Sequence, residues 1–465
     1  MADAKGNGNN FTEGIFKFIE AYWLWLLVII LGYLFWRYSV LKQILAFAGM
    51  IFLGWTAWKF WVHYVQQDFI SGITWVLLEI VPPREVLRSP QAMELFITNA
   101  LYQWSEKGGK EEYWQGAVWF WFSLEIVSID GQVHFYVRTP SRLQSLLETQ
   151  MYAQYPQAQV KVVEDYTLGV DEISEKSEWN AWGCEFKMNK PVSIPIRTYV
   201  DFGLDEDPKE EYKVDPISPV IELFGSIQKG EQMWLQIVVT PSKKTYRVPG
   251  KLFERLNWQK EAERELLEML SPFTSARKRE DLGPGHFGKE VRAPKYMDDL
   301  IDGARRKMQK LGFETGIRIM YLAKKEIFPL GTRTNNSRNI RLIFRQYESP
   351  FLNGFFRFNS TQGDAYGGIF TISKSTVMLL ANRMLEEYRE RAFFHLPMRH
   401  RLFNNHTIPW PLAPAIFPAY KHHETYVLNS EELATLWHFP GQILKVPTLE
   451  RIESKEASPP PNLPT

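Results

Sequence analysis

Two uncharged apolar runs of 16 residues open the chain: AYWLWLLVIILGYLFW (21–36) between Glu20 and Arg37, and QILAFAGMIFLGWTAW (43–58) between Lys42 and Lys59. As helices each spans about 24 Å at ~1.5 Å per residue, a little short of a ~30 Å hydrocarbon core. Tyr, Trp, Lys and Arg at their ends suit the headgroup level and allow snorkelling. The pattern predicts a tail over 1–20 and a transmembrane helical hairpin over 21–67, with RYSVLK as its turn. A cleaved signal peptide fits less well, because Glu13 and Glu20 precede the first run and a second apolar run follows it directly. Buried core helices would carry a polar face, which neither run has.

Beyond residue 70 the period changes. SPQAMELFITNALYQW starts on a Ser cap with Pro in the first turn and keeps apolar residues at helical spacing. WFSLEIVSIDGQVHFYVRTP reads as two strands around an Asp130-Gly131 turn, SRLQSLLETQMYAQYP as a helix and AQVKVVEDYT as a strand. A second set repeats the theme. SIPIRTYVDFG is strand-like, DPISPVIELFGSIQ helical, EQMWLQIVVTPS a strand, and two periodic helices precede the strand FETGIRIMYLAKKEIF. The polar stretch 274–292 reads as a loop, and SKSTVMLLANRMLEEYRERAFF as a long amphipathic helix. In LNSEELATLWHFPG, Asn429 or Ser430 caps a short helix that Glu431 or Glu432 supports. The expected class is α+β: the hairpin, then ferredoxin-like α/β sandwich units in two related halves. The expected divisions are 75–170, 185–393, a C-terminal module over 394–447 and a Pro-rich linker or tail over 448–465.

A net charge of +1 gives no whole-chain electrostatic case for nucleic acid or an acidic partner. Six of the 17 Trp fall between residues 23 and 61, which supports the membrane expectation. The lone Cys184 excludes an internal disulfide and reads as a buried, inert thiol. GIFTISKST (368–376) imitates a phosphate-binding loop, with Lys374 and Ser375 in register. Ser373, however, stands where the second Gly should let the backbone wrap a phosphate. His395, His400, His406, His422 and His423 cluster without Cys or a His-Glu-x-x-His pattern, so no metal or cofactor is expected. Arg333, Arg338, Arg341 and Arg345 interleave with Phe344 and Tyr347, a composition suited to phosphate and bases. Leu433, Trp437, His438, Phe439 and Pro440 offer a candidate docking surface for a partner. No catalytic constellation stands out.

Several stretches together resemble one bacterial family: PPREVLRSPQAMELFITNALYQ, SLEIVSIDGQVHFYVRTP, LLETQMYAQYPQAQVKVVEDYT, FETGIRIMYLAKKEIF, RQYESPFLNGF and VLNSEELATLWHFPG followed by KVPTLERIESKEASPPPNLP. In that family a membrane-anchored region accompanies a VirD4/TraG-like or HerA-like ATPase of conjugation and type IV secretion systems. The resemblance covers roughly 75–464, and PPPNLP corresponds to the linker into the ATPase. It implies a non-enzymatic anchor and docking scaffold in the bacterial inner membrane, with a cytoplasmic body, lipid contact, a separate P-loop ATPase as partner and self-association. Two alternatives stay open: a membrane-tethered protein that guides DNA through the Arg333–Arg345 region, and a nucleotide-binding enzyme that uses Lys374.

Overall fold

The computed structural model describes residues 39–83, 86, 88–103, 107–205, 214–243, 245–247, 255–280, 295–328, 339–361, 374–395 and 423–441. The chain divides into two compact units, one of 1–68 with 109–117 and the other of 69–108 with 118–465. The first unit is built on α1 (Ser39–Ser71), whose residues up to Asp68 belong to it. Trp58 and Trp61 meet Trp114 at ring-centroid distances of 6.3 and 5.8 Å. A Cβ on Gly116 would lie 2.0 Å from the Val65 carbonyl oxygen, so only glycine lets the segment 109–117 approach the helix so closely.

The expected transmembrane hairpin, and with it the multi-pass inner-membrane location, must be corrected. Among the described residues no helix is long and apolar enough to cross a membrane. The run 21–36 lies outside those residues. The run 43–58 is only part of a 33-residue helix that also carries Lys42, Lys59, His63, Gln66, Gln67 and Asp68. Sixteen uncharged residues, interrupted by Gly49, Gly54 and Thr56, fall short of the ~20 predominantly apolar residues a span needs.

The second unit is α+β around one large antiparallel sheet. Its first part runs β1 (Trp75–Val81), α2 (Pro90–Phe96, continued by a wider turn to Leu101), β2 (Phe122–Ile129), β3 (Gln132–Pro140), α3 (Gln144–Gln154) and β4 (Gln159–Val163). The second part holds β5 (Trp179–Met188), α4 (Ser218–Gly225), β6 (Glu231–Pro241), the small ribbon β7 (Thr245–Arg247) and β8 (Arg255–Asn257), α5 (Trp258–Glu280), α6 (Lys295–Met308), β9 (Gly312–Lys324) and β10 (Phe355–Phe358). Then come α7 (Lys374–Arg389), β11 (Tyr426–Asn429) and α8 (Ser430–Leu436). Strand order is β10-β5-β9-β6-β2-β3-β1-β4, with β11 on the free stretch of β9. Within each part the order is fourth, first, third, second, the order of a ferredoxin-like plait. The two plaits are fused by antiparallel pairing of β2 with β6, from Phe122↔Val239 to Ile129↔Gln232.

Local chemistry explains several of these elements. Asp130 (φ 53°) and Gly131 (φ 86°) supply the two positive φ values that a tight, right-twisted hairpin turn requires. Ser89 caps α2 by accepting from the Gln91 N–H. Asn429 and Glu432 form the reciprocal capping box of α8, each side chain accepting the other's backbone N–H at 2.7 and 2.8 Å. The stretch 193–203, expected as a strand, forms turns instead. Pro195 lacks the N–H that a ladder needs.

One face of the sheet carries the main core. Leu78, Phe122, Leu124, Phe135, Cys184, Leu235 and Ile319 alternate inward and are covered by α2, α3, α4 and α8. The opposite face packs Val127, Trp234, Met320 and Leu322 against Leu380, Met384 and Tyr388 of α7.

Candidate functional site

The face beneath α7 also holds charge. Strand register places Glu79, Tyr136, Glu125, Gln236, Arg318 and Glu185 side by side on six adjacent strands. Directly opposed residues share a face, so this is one polar row across the sheet. Glu125, Gln236 and Arg318 are 0% exposed and Glu185 is 1% exposed. Charges this deep persist only when they are paired and hydrogen-bonded.

Two clusters supply that pairing. In the first, the Arg391 guanidinium, just past α7, donates to both oxygens of Glu125 at 2.9 and 3.2 Å and also to Asp165. The Tyr166 hydroxyl donates to Glu125 at 2.8 Å and lies 2.8 Å from the Tyr388 hydroxyl. The Gln236 amide bridges Glu125 and the Tyr388 carbonyl, both at 3.1 Å. Burial opposes the Asp165 charge, but Arg391 and the Thr167 N–H prevail and hold its carboxyl below the usual range. Arg391 sits at φ 52°, a strained conformation for a side chain with Cβ, and its fork of hydrogen bonds holds it there.

In the second cluster the His423 ring lies between two carboxylates. Its Nδ1 is 2.6 Å from Glu185 and its Nε2 is 3.2 Å from Glu387. Burial alone would lower its pKa, yet the two carboxylates overcome that and push it up to about 9. Arg318 reaches Glu185 at 3.4 Å and donates to the Ala392 carbonyl at 2.9 Å, with its guanidinium 4.4 Å from the Phe393 ring. Arg383 donates to Glu387 at 3.1 Å, and the Asn359 amide to Glu185 at 2.9 Å. Ligand atoms of Glu185, Glu387 and His423 lie within 4.8 Å of one another, a donor set that a divalent cation could use. Arg318 and Arg383 already neutralise both carboxylates, however, so a further double charge would be repelled. The set acts as an imidazolium clip that fastens α7 and the segment leading into β11 to β5.

A third network anchors α8. Lys307 and Glu432, both fully buried, pair at 3.1 Å, and Glu432 also accepts the Ile196 N–H at 3.0 Å. Lys310 bridges Glu94 and Glu431 at 2.8 and 2.9 Å.

The residues singled out in the sequence are distributed differently. Leu433, Trp437, His438, Phe439 and Pro440 are all buried, with Trp437 stacked among Phe96, Phe135 and Phe439. They therefore pack the main core and present no surface to a partner. Of the arginines, Arg341 lies in the turn Ile340–Leu342 and the exposed Arg345 in the turn Arg345–Tyr347. Arg333 and Arg338 lie outside the described residues. Phe344 and Tyr347 are buried, and Phe344 contacts Phe186 and Phe355 at 4.7 and 4.8 Å, so neither ring is free to stack on a base. Lys374 is the exposed first residue of α7, and the preceding stretch 362–373 lies outside the description. A small cleft of about 130 Å³ is lined by Trp119, Lys243, Glu314, Phe394 and His395, among others. It is well below the ~300 Å³ at which ligand pockets begin. Sequence reasoning missed Glu125, Glu185, Glu387 and Arg391. Its one available signal was an acid at an interior position of an otherwise apolar strand, as in SLEIVSI. No protein-family model and no curated protein sequence matches the chain.

Proposed function

We propose that the chain is a non-enzymatic docking scaffold for a separate P-loop ATPase of a type IV secretion or conjugation-like system. The observation that carries this reading is how the buried charges are used. Arg391, Arg318, His423 and Lys307 each close onto carboxylates of other elements: Arg391 and His423 fasten α7 to the sheet, Arg318 ties β9 to β5, and Lys307 ties α6 to α8. Groups arranged this way stiffen a platform and are not poised toward a substrate. The family resemblance supplies the partner class. The test is affinity capture of the full-length chain from its native cells, with partners identified by mass spectrometry. Recovery of a P-loop ATPase that is lost when 451–465 are deleted supports the scaffold. Steady ATP hydrolysis by the purified chain alone sinks it.

A further inference from the structure

We propose that His438 is a proton-operated clasp on the chain where it leaves α8. As an imidazolium it ties the end of α8 to Asp215; without its second proton it gives up one of the two ties. The chemistry of its partners carries this inference. Nδ1 lies 2.9 Å from the Ala434 carbonyl oxygen, and Nε2 lies 2.9 Å from Oδ1 of Asp215. A carbonyl and a carboxylate can only accept, so both bonds form only when both ring nitrogens carry hydrogen. A neutral ring keeps one N–H and turns a lone pair toward the other oxygen.

Asp215 is the hub of the clasp. Its Oδ1 also accepts the Ile217 N–H at 3.1 Å, at the start of α4, and its Oδ2 accepts the Gly441 N–H at 3.2 Å. Burial opposes its charge, yet His438 and the two backbone N–H groups prevail and hold the carboxyl below the usual range. The ring stands at the C-terminal end of α8, where a cation also meets the favourable end of the helix dipole. Trp437 and Phe439 on either side are buried in the main core, so the part that the clasp governs is the exit at Pro440 and Gly441. The turn Arg345–Tyr347 brings up Tyr347, whose phenol is pushed up by burial and by the Asp215 charge. Beyond α3, Tyr155 lies 4.9 Å from Phe439 and is pushed up by burial against the pull of Arg88. Both phenols are neutral where imidazoles titrate, between about pH 5 and 8. Among these groups His438 is therefore the one that changes charge there. The clasp is complete on the acid side and is lost as pH rises.

The test is hydrogen exchange of the full chain, read by mass spectrometry at pH 6 and pH 8 and corrected for the intrinsic pH dependence of amide exchange. Peptides covering 437–441 are expected to open about tenfold more at pH 8. Peptides from β6 should keep their protection, as should those around His423, whose own pKa of about 9 keeps its clip charged at both values. His438→Gln and, separately, Asp215→Asn should each abolish the step and leave β6 protected. If His438→Gln fails to fold, β6 loses protection, and wild type and Asp215→Asn then decide. Exchange of 437–441 that ignores pH in wild type overturns the clasp. So does an equal step in β6, which would mean global loosening, or a step that survives either substitution.

Discussion

Arg391 concentrates several demands on a single residue: complete burial, a left-handed backbone, and two carboxylates that no other guanidinium contacts among the described residues. Removing it deprives Glu125 and Asp165 of their direct ion-pair partner. Arg391→Met is expected to cost about 3–5 kcal/mol in urea denaturation, and adding Glu125→Gln should recover part of the loss, because the penalty comes from the stranded charge. His423 yields a pH prediction whose sign follows from its raised pKa. Relative to an unfolded value of 6.5 and a folded value of about 9, its contribution is full below pH 6.5 and fades as pH rises through 9. The amount is about 3 kcal/mol. Denaturation midpoints of wild type and His423→Gln should therefore differ most near pH 6 and converge near pH 10. A difference that grows with pH would refute the imidazolium clip.

At the scale of elements, turns and caps set the register on which the polar row depends. A Cβ at Gly131 would come within 2.8 Å of the Ile227 carbonyl oxygen at a φ of 86°. Gly131→Ala should thus destabilise by roughly 1–3 kcal/mol, and its near-neutrality in a thermal melt would mean a different turn. Helix α8 has only seven residues, too few to stand alone. Its capping box and Trp437 hold it, so Asn429→Ala should cost about 1 kcal/mol and Trp437→Ala about 3–5 kcal/mol. Those losses should appear in global stability, because Trp437 donates its indole N–H to the Glu125 carbonyl in the sheet.

For the molecule as a whole, the β2–β6 seam joins two plaits into one sheet through eight opposed residue pairs. Residues 74–164 expressed alone would expose the whole edge of β2, from Phe122 to Ile129, as an unpaired apolar strand. That fragment should self-pair or aggregate, as light scattering would report. A stable monomer with a cooperative melt would show that the first plait folds independently.

The elements with local signals were legible in advance. Asp130-Gly131 specified a hairpin, the Asn429 and Glu432 pattern a capped helix, and the apolar core of EQMWLQIVVTP a strand, because short-range sterics and periodicity suffice for each. The strand Trp179–Met188 was not legible: WNAWGCEFKM lacks β-branched residues, and its conformation comes from pairing with β9 and β10. The uncharged run 43–58 reads as half of a membrane hairpin, whereas the helix that contains it is not long and apolar enough to cross a membrane. By itself the sequence determined local elements, an α+β class and the lack of any recognisable catalytic motif. Tertiary structure alone decided that Glu125, Glu185, Arg318, Glu387, Arg391 and His423, spread over 299 residues, would meet beneath one helix. Charge pairing depends on distance in space, and that distance is set by strand order.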